Sequence, residues 1–178
     1  MPVLDEDETL KKVNYGLSTS IQRVWITSPW VSVWIIDKKI KQKDARLVVR
    51  LSDKTDLNIT DFERLKQLNN EGIWMVRCHP NLHSKMYIFD EFCIIGSSNL
   101  TSRGMGKSSQ SNRETSVLLE SKGEIQDASA RFLEIWNEST PINGVTFSFK
   151  IKPVKVRGIR DILRLFKPHN PFERFKNR

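Results

Sequence analysis

The segment NLHSKMYIFDEFCIIGSSNL (residues 81–100) holds His83 and Lys85, then Asp90, then the run Gly96-Ser97-Ser98-Asn99. A neutral imidazole is a competent nucleophile toward phosphorus and can form a covalent intermediate. A lysine two residues away supplies positive charge for phosphate oxygens. If 83–90 is extended, successive side chains point to opposite faces. His83, Lys85, Tyr87 and Phe89 then share one face, and Ser84, Met86, Ile88 and Asp90 the other. Asp90 therefore suits support of the hairpin that turns at Asp90-Glu91. After the return strand, Gly96 lets the backbone approach a ligand closely, while Ser97, Ser98 and Asn99 bring hydroxyls and an amide back beside His83. Glu114 is the next carboxylate downstream. It could accept the second ring N–H of a histidine and fix its tautomer.

The spacing His83-Ser84-Lys85, four residues, Asp90, then Gly96-Ser97-Ser98-Asn99 resembles the signature of the phospholipase D superfamily, the HKD motif. The resemblance takes in the ITSPWV segment before it and the strand opened by Glu114, so about residues 1–140. It implies an α/β fold, a phospholipase D-like α-β-α sandwich around a central mixed β-sheet. It also implies phosphodiester chemistry with no metal and no cofactor, carried by His83, Lys85, Asn99 and Glu114 and supported by Asp90, Ser97 and Ser98. The family reaction uses two such motifs: one histidine attacks phosphorus, the other protonates the leaving oxygen and then activates water.

This chain has three histidines, and neither His79 (before Pro80-Asn81) nor His169 (before Asn170-Pro171) opens a second H-x-K. One motif per chain implies a homodimer in which two copies of His83 meet across a two-fold axis. The two histidines must then hold opposite protonation states, which makes activity bell-shaped in pH.

The elements that must position these residues follow from the apolar pattern. Residues 5–18 form an amphipathic helix on Leu10, Val13 and Leu17. RVWITSPWVSVWII is a β-rich run broken at Ser28-Pro29, and ARLVVRL (45–51) and GIWMVRC (72–78) are further strands. Thr60 or Asp61 could cap a helix running to about Asn70 and ending near Gly72. HSKMYIFD and FCIIG form the hairpin, and ETSVLLES (114–121) is another strand. GEIQDASARFLEIWNE is a helix with Ile125, Ala128, Phe132, Ile135 and Trp136 at helical spacing. Strands alternating with helices predict an α/β sandwich. Cys78 and Cys93 lie inside apolar runs and read as buried free thiols without zinc-finger spacing. Residues 141–178 read as a basic extension: a strand from Val145, then a short amphipathic helix, or the start of a further domain.

Charge bears on the substrate. Residues 150–178 carry ten Lys/Arg against Asp161 and Glu173, the whole of the net charge of +8, while residues 1–149 hold 19 of each sign. Such a tail attracts a polyanion. The stretch 101–113 adds Arg103, Lys107 and Arg113 and no acid. With Arg160 and Arg164 of the tail, these are candidate contacts to a nucleic-acid backbone. Trp25, Trp30 and Trp34 suit core packing or base stacking, and Trp30, after Ser28-Pro29, is placed to line a cleft. The favoured partner is nucleic acid, DNA before RNA. Two other readings stand beside it. Ile159, Ile162, Leu163 and Phe166 flanked by Arg160, Arg164 and Lys167 could lie on an anionic membrane, which would suit a phospholipid hydrolase or phosphatidyltransferase. A non-catalytic nucleic-acid-binding module would keep the fold alone. No apolar run is long enough to span a bilayer and no signal core opens the chain, so a cytoplasmic, uninserted protein is expected.

Overall fold

Asp5 and Glu8 close a capping box ahead of the first helix, each side chain accepting from the other's backbone N–H. Glu6, Asp7 and Glu8 in its first turn complement the helix dipole. Ser121 and Glu124 repeat the device ahead of the last helix. In the computed structural model, which describes residues 1–37, 44–52 and 59–145, three helices result: α1 (Glu6–Thr19), α2 (Ile59–Asn70) and α3 (Lys122–Glu138). The described residues lie within the unit Met1–Phe147. The expected strand from Val145 and the helical stripe around Ile159–Phe166, with Arg160 and Arg164, lie outside the described residues.

The strands are β1 (Val3–Leu4), β2 (Arg23–Ser28), β3 (Asp44–Arg50), β4 (Met75–His79), β5 (Met86–Ile88), β6 (Cys93–Gly96), β7 (Ser116–Leu119) and β8 (Thr140–Pro141). They form one mixed sheet in the order β1-β7-β6-β5-β2-β3-β4-β8. β2, β3 and β4 are parallel, and the other pairs are antiparallel.

Alternation along each strand builds two apolar layers. Val24, Ile26, Leu47, Val49, Val76, Tyr87 and Ile94 pack with Leu10 and Val13 of α1 and with Phe62, Leu65 and Leu68 of α2. Trp25, Val48, Met86, Ile88 and Cys93 face the other way, onto Ile125, Ala128, Phe132, Ile135 and Trp136 of α3. Helices on both faces of a central mixed sheet make the expected α-β-α sandwich. The expected parity of the hairpin holds: Tyr87 and Phe89 fall in the first layer, Met86 and Ile88 in the second.

Two local expectations need correction. α2 opens at Ile59, so Thr60 and Asp61 lie inside its first turn; the Asp61 carboxylate instead accepts from Val33 N at 3.3 Å. Gly72 does end the segment, with a φ of 69° that favours glycine. The strand expected over 83–90 ladders only from Met86 to Ile88, because β2 stops opposite it at Ser28-Pro29. β8 adds to the edge of β4 and Ile142 is fully buried, so residues 140–142 pack with the sandwich. Cys78 and Cys93 are free and buried, and burial pushes their thiols up to about 12 and about 11. Among the described residues no helix is long and apolar enough to cross a membrane.

Candidate active site

One end of the sheet gathers the chemistry. β2 and β3 run parallel and finish there, at Ser28 and Arg50; β5 starts there opposite Thr27; β6 finishes at Gly96 and β7 starts at Ser116 beside it. Loops leaving the carboxyl ends of parallel strands are a usual place for ligands in α/β sheets.

Thr27 sets the register of the motif: its hydroxyl accepts from Met86 N at 3.0 Å and donates to Ser84 Oγ at 3.2 Å. This holds His83 and Lys85 just off the strand end. His83 is exposed, whereas Lys85 is 6% exposed. Lys85 Nζ donates to the His83 carbonyl at 2.6 Å and sits 3.1 Å from His83 Nδ1. Burial lowers the pKa of the ammonium, and the charge of Glu114 opposes that shift. A cation pinned against an exposed imidazole is the pairing that phosphate chemistry needs.

The Gly96–Asn99 turn returns as expected, with Gly96 N donating to Lys85 O at 3.3 Å. A Cβ on Gly96 would lie 2.5 Å from Ser116 Cα and from the Thr115 carbonyl, so the close approach of β6 to β7 requires glycine. Ser97 Oγ donates to Glu114, and Asn112 Nδ2 reaches the same carboxylate at 2.9 Å. Glu114 thus binds Ser97 and Asn112 rather than His83. Ser98 lies inside: its carbonyl accepts from the buried Tyr87 hydroxyl at 2.6 Å, and its Oγ is 3.3 Å from Ser116 Oγ. Gly104 packs so tightly on the Asn99 backbone that a Cβ there would stand 2.4 Å from Asn99 O. Asn99 is thereby held in place, half-buried, with its side-chain Oδ1 buried and without a hydrogen-bond partner.

Asp90 sits at the far end of the hairpin. Its carboxylate accepts from the backbone N–H groups of Ile21 (2.7 Å), Gln22 (3.0 Å) and Arg23 (2.9 Å). Burial pushes its pKa up, but these three donors and the Arg23 charge hold it below the ordinary value.

Trp30 and His83 meet with their ring planes nearly perpendicular, centroids 6.3 Å apart at 88°, and the Arg50 guanidinium lies over the Trp30 ring, 5.8 Å from its centroid. Trp25 does not join them; it is buried and stacks on Phe132 at 5.1 Å. The cations of the 101–113 stretch are partly engaged. Lys107 pairs with Asp7 at 3.4 Å, Arg113 with Glu6 at 3.3 Å, and Arg103 donates to Gln110 at 3.1 Å. His79 ends β4 opposite Arg50, with Asn81 N donating to its Nδ1 and Glu138 at 3.7 Å from its Nε2. Sequence reasoning missed Arg50, Gly104, Glu6 and Asp7. Arg50 had a weak signal, as a charged residue near the end of the strand expected over 45–51.

The pairing of Lys107 and Arg113 with α1 gives an expected result. Glu6→Gln with Asp7→Asn releases both cations, raises affinity for a polyanionic strand about threefold to tenfold at 0.1 M salt and steepens the salt dependence by up to about two counterions. Titration at several salt concentrations, in a His83→Ala background, checks this.

The fold and this constellation define a phospholipase D-like protein. A family model described as the PLD-like domain of cardiolipin synthase matches residues 17–136, and the chain belongs to that family. No curated protein sequence matches it. Among solved structures it is similar to Nuc of Salmonella typhimurium, a phospholipase D family member, at a TM-score of 0.60 and 15% identity over 79% of this chain and 97% of that one. It is similar to TrmBL2, an archaeal chromatin protein that binds DNA, at 0.55 and 16% over 79% and 54%. It is also similar to phosphatidylserine synthase of Haemophilus influenzae Rd KW20, at 0.63 and 10% over 83% and 39%. Likenesses at these identities establish the shared fold.

Proposed function

We propose that the chain is a metal-independent phosphodiesterase acting on nucleic acid, DNA before RNA, through a phosphohistidine at a site shared by two subunits. The observation that carries this is the exposed His83 ring against the buried Lys85 ammonium, at the sheet end where Ser97, Asn99 and Glu114 converge. In the first step a ring nitrogen of one His83 attacks phosphorus. A P–N bond forms, the P–O bond to the leaving group breaks, and the second subunit's histidine gives its proton to the departing oxygen. In the second step that histidine, now neutral, takes a proton from water, whose oxygen displaces the imidazole. Lys85 and the Asn99 amide donate to the phosphoryl oxygens as charge builds on them. Glu114 holds Ser97 and the edge of the turn.

Nucleic acid is favoured over lipid by the Trp30–Arg50 pair beside His83 and by the cations of residues 150–178. The shared fold does not choose, since both a DNA-binding chromatin protein and a phosphatidylserine synthase have it. The test is incubation with plasmid, oligonucleotide and anionic liposomes, each in excess EDTA. Cleavage of the nucleic acids that persists in EDTA is expected. Release of a lipid headgroup with intact DNA would select the phospholipid hydrolase or phosphatidyltransferase, and a requirement for added magnesium would overturn the mechanism.

A further inference from the structure

We infer that Trp30 and Trp34 form a stacking track for unpaired bases, so that the strand presented to His83 is single or locally melted; this rests on the nucleic-acid reading above. After Ser28-Pro29 the chain leaves the sheet as a strap that carries both indoles. Its backbone is stitched to the loop after Asn99: Ser28 Oγ donates to Trp30 O at 2.7 Å and accepts from Leu100 N at 2.9 Å, and Ser32 N donates to Leu100 O at 2.7 Å. Trp30, Trp34 and Asn99 therefore belong to one rigid loop cluster at the site.

Trp34 is 53% exposed, although Val33 and Ile35 on either side are 3% and 1% exposed. Its Nε1 donates to Ser102 Oγ at 3.2 Å, so the polar edge of the indole is already satisfied and what faces solvent is apolar ring. An aromatic surface that is both exposed and pinned, with an exposed Arg103 next to Ser102, matches a base-stacking platform better than a mobile side chain would. Trp30, half-buried and perpendicular to the His83 ring with Arg50 against it, is the inner member of the track. A base on this ring leaves its adjoining phosphate within reach of His83 and Lys85. Within a duplex both faces of each base are covered by its stacked neighbours, so only an unstacked base can use either indole.

Binding is measured in a His83→Ala background, so cleavage does not enter. The ligands are a labelled single strand, the same strand with abasic sites at its centre, and the matched duplex. The single strand is expected to bind about tenfold more tightly than the duplex, and abasic substitution removes most of that margin without changing the phosphates. Trp34→Ala is expected to weaken single-strand binding about fivefold to tenfold, to change duplex binding less than twofold, and to leave the subunit association intact by sedimentation. Equal affinity for both forms, indifference to abasic sites, or equal losses on both ligands overturns the track while leaving the phosphodiesterase reading in place. Dissociation of Trp34→Ala into monomers overturns it too, by making the indole a subunit contact. If neither nucleic acid binds, the track falls together with the nucleic-acid reading.

Discussion

His83→Ala lowers phosphodiester cleavage by about 10⁴-fold or more, because it removes the proposed nucleophile of one subunit and the acid–base group of the other at once. The fold should not suffer. His83 is exposed, and its ring neighbours are Lys85 Nζ and the perpendicular Trp30 ring; Lys85 keeps its bond to the backbone carbonyl of residue 83. The thermal midpoint is therefore expected within a few degrees of wild type. Acid-labile label from a 32P substrate should appear on wild-type protein and not on the variant. A variant that keeps a tenth of the activity, or a covalent label that survives the substitution, would remove His83 from the chemistry.

Asp90→Ala should do the opposite, destabilising the protein while sparing the reaction. Removing the carboxylate takes the shared acceptor from the N–H groups of Ile21, Gln22 and Arg23 at the start of β2, of which only that of Arg23 is part-buried, and costs about 1–3 kcal/mol. At a temperature where both proteins are folded, turnover per folded molecule stays within about threefold of wild type. The sign with pH follows from the carboxylate. Its folded pKa lies below the ordinary value, so its contribution is fully present above the unfolded pKa of about 4 and is lost as pH falls through the folded value. The gap in stability between wild type and Asp90→Ala should narrow below about pH 4, as denaturant melts at pH 7 and pH 3 would show. An undiminished gap would mean that the lost stability does not come from the ionised carboxylate.

The facing of side chains along β5 was legible from strand parity, which needs only the period of two. So were the two layers across β5 and the stripe of α3, because apolar periodicity reflects burial directly. The extent of β5 was not legible: a ladder ends where its partner does, and β2 ends at Ser28-Pro29. Of the three tryptophans in one run only Trp30 carried a sign of its place, its position just after Ser28-Pro29. The turn at Pro29 leaves Trp25 under α3 and carries Trp30 and Trp34 out of the sheet. The cations of 101–113 looked unopposed because their acids, Glu6 and Asp7, are about a hundred residues away in sequence. Glu114 was placed near the site, but its bonds to Ser97 and Asn112 depend on the exact end of β7, which propensity does not fix.

Subunit mixing tests the half-site most directly. Wild-type and His83→Ala chains are unfolded together, refolded at varied ratio and assayed at constant total protein. If each site needs a histidine from both subunits, activity follows the square of the wild-type fraction, about a quarter of full activity at equal mixing. Activity falling in direct proportion to the wild-type fraction would show that each chain works alone, and would contradict the shared site.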